Sequence, residues 1–440
     1  MQLETVGHAG ALLRDDLGAP VLFTDPWVIG SCYWRSWWLQ HYPDDALLDE
    51  LRRVPYCHIT HEHPDHFHTA SIRALGPAIH YLAPDLPGGR IPEFLRSRGH
   101  RVTVVPAFRW MPLTPQVSVL SIPLLNDDSI LLVSTPDAVI VNLNDSKPRS
   151  SQLDVLAEAL DTVAVGKRRV LLSSYSPASI VNSFLRGTVR VSLREKASYA
   201  RAVSDVCRRL RIDDFLPFAS QVVYKRRDSA WANEFKVTFQ DLAHHWTGAP
   251  TRLLPPYTRL DLATGAHTSV PLDQYRHDDA VMGPKVAAQE ALDAEAQFTD
   301  EDGARLRAMM AHCRWLLAIL FPRGIGFSLD HTDLHYSPWT GRVSRTASTG
   351  DFVLRVPTQA FKDAVAFGHF GDLGTTMFTV VQLNSAIHPR RVYLFFLLLT
   401  LHDYGHTTSV GNWLRWVGRT IRIHKWKVPA HPPHGEPVRG

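Results

Sequence analysis

The chain has 440 residues, 45% of them hydrophobic and 20% charged, with a formal net charge of +4. That length holds two or three ordinary domains, and the composition excludes a disordered or fibrous chain. Basic knots such as "GKRR" (166–169) and "YKRR" (224–227) are scattered among acidic stretches, which argues against a nucleic-acid partner.

The start "MQLETVGHAGALL" lacks the basic region and small-residue cleavage site of a secretory leader. Downstream, short apolar runs predict strands: "APVLFTD" (19–25), "YCHIT" (56–60), "AIHYLAP" (78–84), "HRVTVVP" (100–106), "VSVLSIP" (117–123), "SILLVS" (129–134), "AVIVNLND" (138–145) and "RRVLLSS" (168–174). Between them lie helical patterns. "DDALLDELRRV" (44–54) and "SQLDVLAEALDTVA" (151–164) repeat apolar residues at i, i+3 and i+4, and "KASYARAVSDVCRRLRI" (196–212) sets Ala200, Val203, Cys207 and Leu210 on one face. Strands alternating with helices predict an α/β sandwich over 1–255.

Residues 256–300 turn polar and breaker-rich and read as a linker or excursion. A smaller α+β unit, 301–426, follows. It contains a helix "ARLRAMMAHCRWLLAILF" (304–321), a strand "DFVLRVP" (351–357) and a helix "TQAFKDAVAFG" (358–368). The apolar run "VYLFFLLLTL" (392–401) is about half the ~20 residues that a membrane-spanning helix needs, so it reads as core. The tail 427–440 is rich in Pro and Gly and is predicted to be disordered. Cys32, Cys57, Cys207 and Cys313 stand far apart without a Cys-x-x-Cys pair, so a reducing, cytoplasmic setting is expected.

One stretch carries chemistry. In "HITHEHPDHFH" (58–68), His61, His63, Asp65 and His66 form H-x-H-x-D-H between a strand and the helix-like "TASIRALG". Histidines two apart at a strand end point to one side, so His61 and His63 can grip one ion, while Asp65 and His66 on the turn reach a second. Imidazole with carboxylate suits zinc, iron or manganese. "DHTDLH" (330–335) and "LHDYGH" (401–406) are also His-rich but lack that setting, and His58 and His68 read as bystanders.

This signature resembles that of the metallo-β-lactamase superfamily. The flanks "GHAGALL" (7–13), "FTDPWVIG" (23–30), "VNLND" (141–145), "SSYSPAS" (173–179) and "LPFAS" (216–220) look like the branch of ascorbate-6-phosphate lactonases and of the metal-binding domain of CMP-sialic acid hydroxylases. The resemblance, over roughly 1–250, implies an αββα sandwich with a one- or two-metal site. It implies His61 and His63 on the first metal, Asp65 and His66 on the second, and Asp145 bridging both. Where the superfamily has another histidine, this chain has "LLNDDS", so Asp127 or Asp128, or less plausibly Asn126, is expected to serve. A late histidine after "LPFAS" is also missing; Glu234, His244 or His245 are the substitutes in sequence.

A zinc pair would make a hydroxide nucleophile oriented by Asp65, the catalytic residue of a hydrolase for lactones, esters, amides or phosphodiesters. Carboxylates in place of histidines favour iron or manganese, and so a di-iron oxygenase acting on a small metabolite comes first among the expectations. With no Rieske-type Cys/His pairs in this chain, electrons would come from a partner reductase or the substrate. Trp34, Trp37 and Tyr175 are expected at a substrate pocket or as packing, and Lys225, Arg226 and Arg227 at an anionic substrate or in solvent. His8 is expected beside a ligand or in the core, and the C-terminal unit as a pocket cover, homodimer face or support.

Overall fold

The computed structural model describes every residue except 87–88, 125–126, 178–182, 192–193, 278, 385–386, 424–427 and 430–440, with side chains of 422–423 also left aside. Asn126, two residues of "SSYSPAS" and nearly all of the expected disordered tail fall outside the described residues. Val428 and Pro429 are the described part of that tail; the Pro429 carbonyl accepts the Trp110 indole N–H at 3.1 Å.

Two mixed sheets face each other. The first runs in the order His267–Ser269, Thr258–Asp261, Gln2–Val6, Gly10–Arg14, Pro20–Thr24, Tyr56–His58, His80–Pro84, Arg101–Val105. The second runs Arg252–Leu253, Asp214–Phe218, Arg168–Ser174, Ala138–Asn144, Ser129–Ser134, Ser118–Pro123, Trp110–Pro112. Alternation along the strands sends Leu13, Leu22, Val119, Val133, Ile140 and Leu172 into the shared interior. The opposite faces take helices: Asp45–Leu51, Thr69–Leu75 and Arg90–Ser97 on the first sheet, Ser150–Val163 and Lys196–Leu210 on the second. The predicted Ala200, Val203, Cys207 and Leu210 face is buried against that second sheet. This is the expected αββα sandwich.

The boundary drawn at 255 does not match the sheets. Residues Thr258–Asp261 pair antiparallel with the edge strand Gln2–Val6, and His267–Ser269 extends the sheet again. The supposed linker then holds a helix, Asp279–Glu295. Its acidic residues take up the basic knot: Lys225 pairs with Asp279, Arg227 with Glu290, and buried Arg226 with Asp293 at 2.7 Å and with Asp228 at 2.7 Å. These cations thus tie helix to sandwich rather than await an anionic substrate.

The C-terminal unit is an α+β layer. Its sheet, in the order Val189–Arg190, Phe184–Arg186, Val380–Leu383, Phe352–Arg355, Ile325–Ser328, Asp333–Ser337, Arg342–Ser344, borrows its first two strands from the sandwich half of the chain. The predicted helix 304–321 is broken into Asp300–Ala311 and Arg314–Leu320. The apolar run lies in the helix Pro389–Asp403, where Phe395 and Phe396 join Phe321, Phe352 and Phe370 in an aromatic core. No helix among the described residues is long and apolar enough to cross a membrane. The units are also joined through the aromatic stretch "YWRSWWL" (33–39): Ser36 Oγ donates to the Thr376 carbonyl at 2.6 Å and the Trp37 indole to that of Thr375 at 3.1 Å.

Candidate metal centre

The H-x-H-x-D-H loop leaves the strand Tyr56–His58 and ends where His68 caps the helix Thr69–Leu75, its Nδ1 accepting the Ser71 N–H. Asp25, at the end of the neighbouring parallel strand, holds the loop at both ends. Its carboxylate accepts from Thr60 N at 2.7 Å, Thr60 Oγ1 at 2.8 Å and His66 Nδ1 at 2.9 Å. A histidine whose Nδ1 donates to a carboxylate presents Nε2 as the free donor atom, so Asp25 sets the His66 tautomer. Sequence reading overlooked Asp25 as a functional residue, although an aspartate closing a strand in "FTDPW" is the signal that was available.

The second sheet supplies carboxylates. Ser129–Ser134 and Ala138–Asn144 are antiparallel neighbours, so Asp128, before the first, and Asp145, after the second, meet at one sheet edge. The Asn144 side chain donates to the Ser129 carbonyl at 2.7 Å and locks the two ends together.

Six of the seven expected ligands lie near one another, and four of them, His61, Asp65, His66 and Asp145, belong to sets whose ligand atoms are mutually close. His61 Nε2 lies 2.8 Å from His63 Nδ1, and His61 Nδ1 lies 3.4 Å from Asp128 Oδ1. His66 Nε2 is 3.4 Å from Asp145 Oδ2 and 3.6 Å from Asp65 Oδ2. The other Asp65 oxygen accepts the Tyr33 hydroxyl at 2.6 Å. Two sets of donors, one from His61, His66 and Asp145 and one from His8, Asp65 and His66, have their ligand atoms within 4.8 Å of one another. The seventh, Asp127, turns away: its φ of +56° swings the carboxylate to His406, 2.5 Å from Nε2. Glu234 and His244 are exposed and His245 half-buried, and none is in either set.

The donor chemistry fits a cation. His66 Nε2 is buried without a hydrogen bond. Burial and the facing imidazoles of His66 and His63 hold His61 well below the usual histidine range, and burial lowers His63 too, so both stay neutral as ligands must. Against desolvation, His66 keeps Asp145 ionised, and His66 with His8 does the same for Asp65. Asp128 is pushed up to about 7 by burial and by the charge of Asp145. Although burial opposes it, His66 is raised well above its ordinary value by Asp65 and Asp25. Carboxylates that draw a proton onto the central imidazole create the field that a metal ion would satisfy.

Beside this cluster opens a cavity of about 580 Å³. His63, Asp65, Asp128 and Asp145 form its floor; Tyr33, Trp37, Tyr175 and Tyr199 its walls; Lys147 and Arg194 also line it, and Thr375 and Tyr393 come from the C-terminal unit. Trp37 and Tyr175 are therefore at the pocket. Trp34 is not among the lining residues: its indole donates to Asp363 at 2.9 Å and its ring packs near Phe378.

No family model matches the chain. A Mycobacterium tuberculosis protein that carries a Rieske 2Fe-2S iron-sulfur name is 31% identical over 178 residues, 38% of this chain and 33% of its own length. The cytidine monophosphate-N-acetylneuraminic acid hydroxylase of Cricetulus griseus is 24% identical over 254 residues, 54% of this chain and 43% of its own. The chain thus spans a third to under a half of these curated relatives. Among solved structures, the isothiocyanate hydrolase from Delia radicum gut bacteria is a distant likeness, with a TM-score of 0.41 and 13% identity over 62% of this chain and 100% of that one. The N-terminal unit is an αββα sandwich with the H-x-H-x-D-H loop at a strand end, and part of the chain is similar in sequence to cytidine monophosphate-N-acetylneuraminic acid hydroxylases.

Proposed function

We propose that this protein is a metal-dependent oxygenase that holds iron, as one or two ions, and hydroxylates a small organic metabolite. The observation that carries this reading is Asp128, a buried carboxylate 3.4 Å from His61 at the place where hydrolases of the superfamily supply an imidazole. An anionic, oxygen-rich donor set stabilises higher oxidation states and prefers iron or manganese to zinc. The sequence relationship to hydroxylases agrees with it.

In this reading His61, His63, Asp65, His66, Asp128 and Asp145 would supply the donors for the bound iron, with Asp145 as the bridge and with His63 and Asp128 reaching opposite ring nitrogens of His61. Bound iron supplies the electron-transfer steps that reduce dioxygen. The protein's own groups do the rest. Asp25 keeps the Nε2 of His66 free, and Tyr33 holds one oxygen of Asp65 so that the other faces the cluster. Tyr33, Trp37 and Tyr175 give an apolar, water-excluding wall in a cavity sized for one small molecule. Overall, substrate C–H, dioxygen, two electrons and two protons give the alcohol and water. A reductase outside this chain supplies the electrons, since the four cysteines are buried singly.

Elemental analysis and iron spectroscopy on protein purified without chelator test this. One to two irons per chain, with oxygen consumed on reduction, is the expected result; zinc without oxygen reactivity would instead establish a hydrolase. Asp145→Ala should remove metal and activity together, and if both survive, the bridging role is wrong.

A further inference from the structure

We infer that His8 is a direct ligand of the second metal ion, in place of the late histidine that the chain lacks. This rests on the metal-centre reading above. The argument starts from position. The strand Asp214–Phe218 ends beside the turn Gly7–Ala9, and the Ala219 N–H donates to the His8 carbonyl at 2.8 Å. The place where a ligand after "LPFAS" would enter is therefore occupied by a residue from the opposite sheet.

The turn leaves the ring little freedom. Gly7 has a φ of +64°, and a Cβ there would meet the Trp27 carbonyl at 2.6 Å, so the backbone sits too close for any other residue. The imidazole is 2% exposed and is flanked by Trp27 and Trp37, with ring centroids 5.6 and 5.9 Å away, and by His66 at 5.7 Å. Neither ring nitrogen makes a hydrogen bond. Its Nε2 lies 3.1 Å from Asp65 Oδ2. His8, Asp65 and His66 bring one ligand atom each to within 4.8 Å of the others.

The test is titration of metal-stripped full-length protein with Co²⁺, following bound equivalents and visible absorption. Wild type is expected to take two equivalents, and His8→Gln one, matching Asp65→Asn. Near-ultraviolet circular dichroism checks that the variants are folded. His8→Cys should keep both equivalents and add a thiolate-to-cobalt charge-transfer band, which remains informative if the glutamine variant does not fold. His8→Gln with the stoichiometry and spectrum of wild type, or a cysteine variant without the band, overturns the assignment of His8 alone. Wild type that takes up no cobalt overturns the metal centre itself.

Discussion

Asp127 and Asp128 are neighbours in sequence that end in two different histidine clusters. Around Asp127 the carboxylate is itself paired: His406 lies 2.5 Å away and Arg419 reaches it, and on the same side Arg90 pairs with Glu62 and donates to the Asp403 main-chain carbonyl. That cluster is closed. Around Asp128, imidazoles and carboxylates crowd together, with His61 Nδ1 3.4 Å from Asp128 and His66 Nε2 3.4 Å from Asp145, and His66 Nε2 has no hydrogen bond. A closed cluster stabilises a fold; a convergent one requires a cation, and the difference is readable from where the donors point.

His63→Ala should sharpen the contrast most strongly, with near-complete loss of bound metal by elemental analysis while the fold is retained; stoichiometric metal in that variant would break it. Arg226, buried between Asp228 and Asp293 and stacked on Phe378, represents the closed kind. Arg226→Ala should lower unfolding free energy by about 3–5 kcal/mol in a denaturant titration and leave metal affinity alone. Asp25→Asn disturbs only the support of His66 and should weaken metal binding about 10–100-fold, measured by competition with a chelator. The smallest effect belongs to Asp127→Ala, which strands His406 and should cost about 1–3 kcal/mol of stability with metal content unchanged. A loss of metal there comparable to that of Asp128→Ala would erase the distinction.

Residues whose placement is set by near neighbours were legible in the sequence. His61, His63, Asp65 and His66 follow one strand and precede one helix, so local geometry is enough to bring them together. The Asp127/Asp128 choice was not legible, because it depends on a left-handed backbone at Asp127 and on His406, 279 positions away. The position of His8 was not legible for the same reason: only the packing of the two sheets brings a turn near the N-terminus against the end of Asp214–Phe218. The strand Thr258–Asp261 hid in a polar stretch because it sits near the sheet's edge, where Arg259 stays exposed and salt-bridges Glu4. The break at His312–Cys313 interrupts an apolar pattern that continues across it, and periodicity does not register such a break.

The strand Phe184–Arg186 pairs in parallel with Val380–Leu383, a contact that spans nearly two hundred residues of chain. During synthesis at roughly 5–20 residues per second, that strand waits on the order of 10–40 s for its partner. The metal-binding donors have all emerged by then, while Thr375 and Tyr393, which complete the cavity wall, have not. The donor cluster is thus open to solvent ions before the pocket is built. A fragment cut at residue 255 would also keep an unpaired strand edge permanently on display, a template for aggregation.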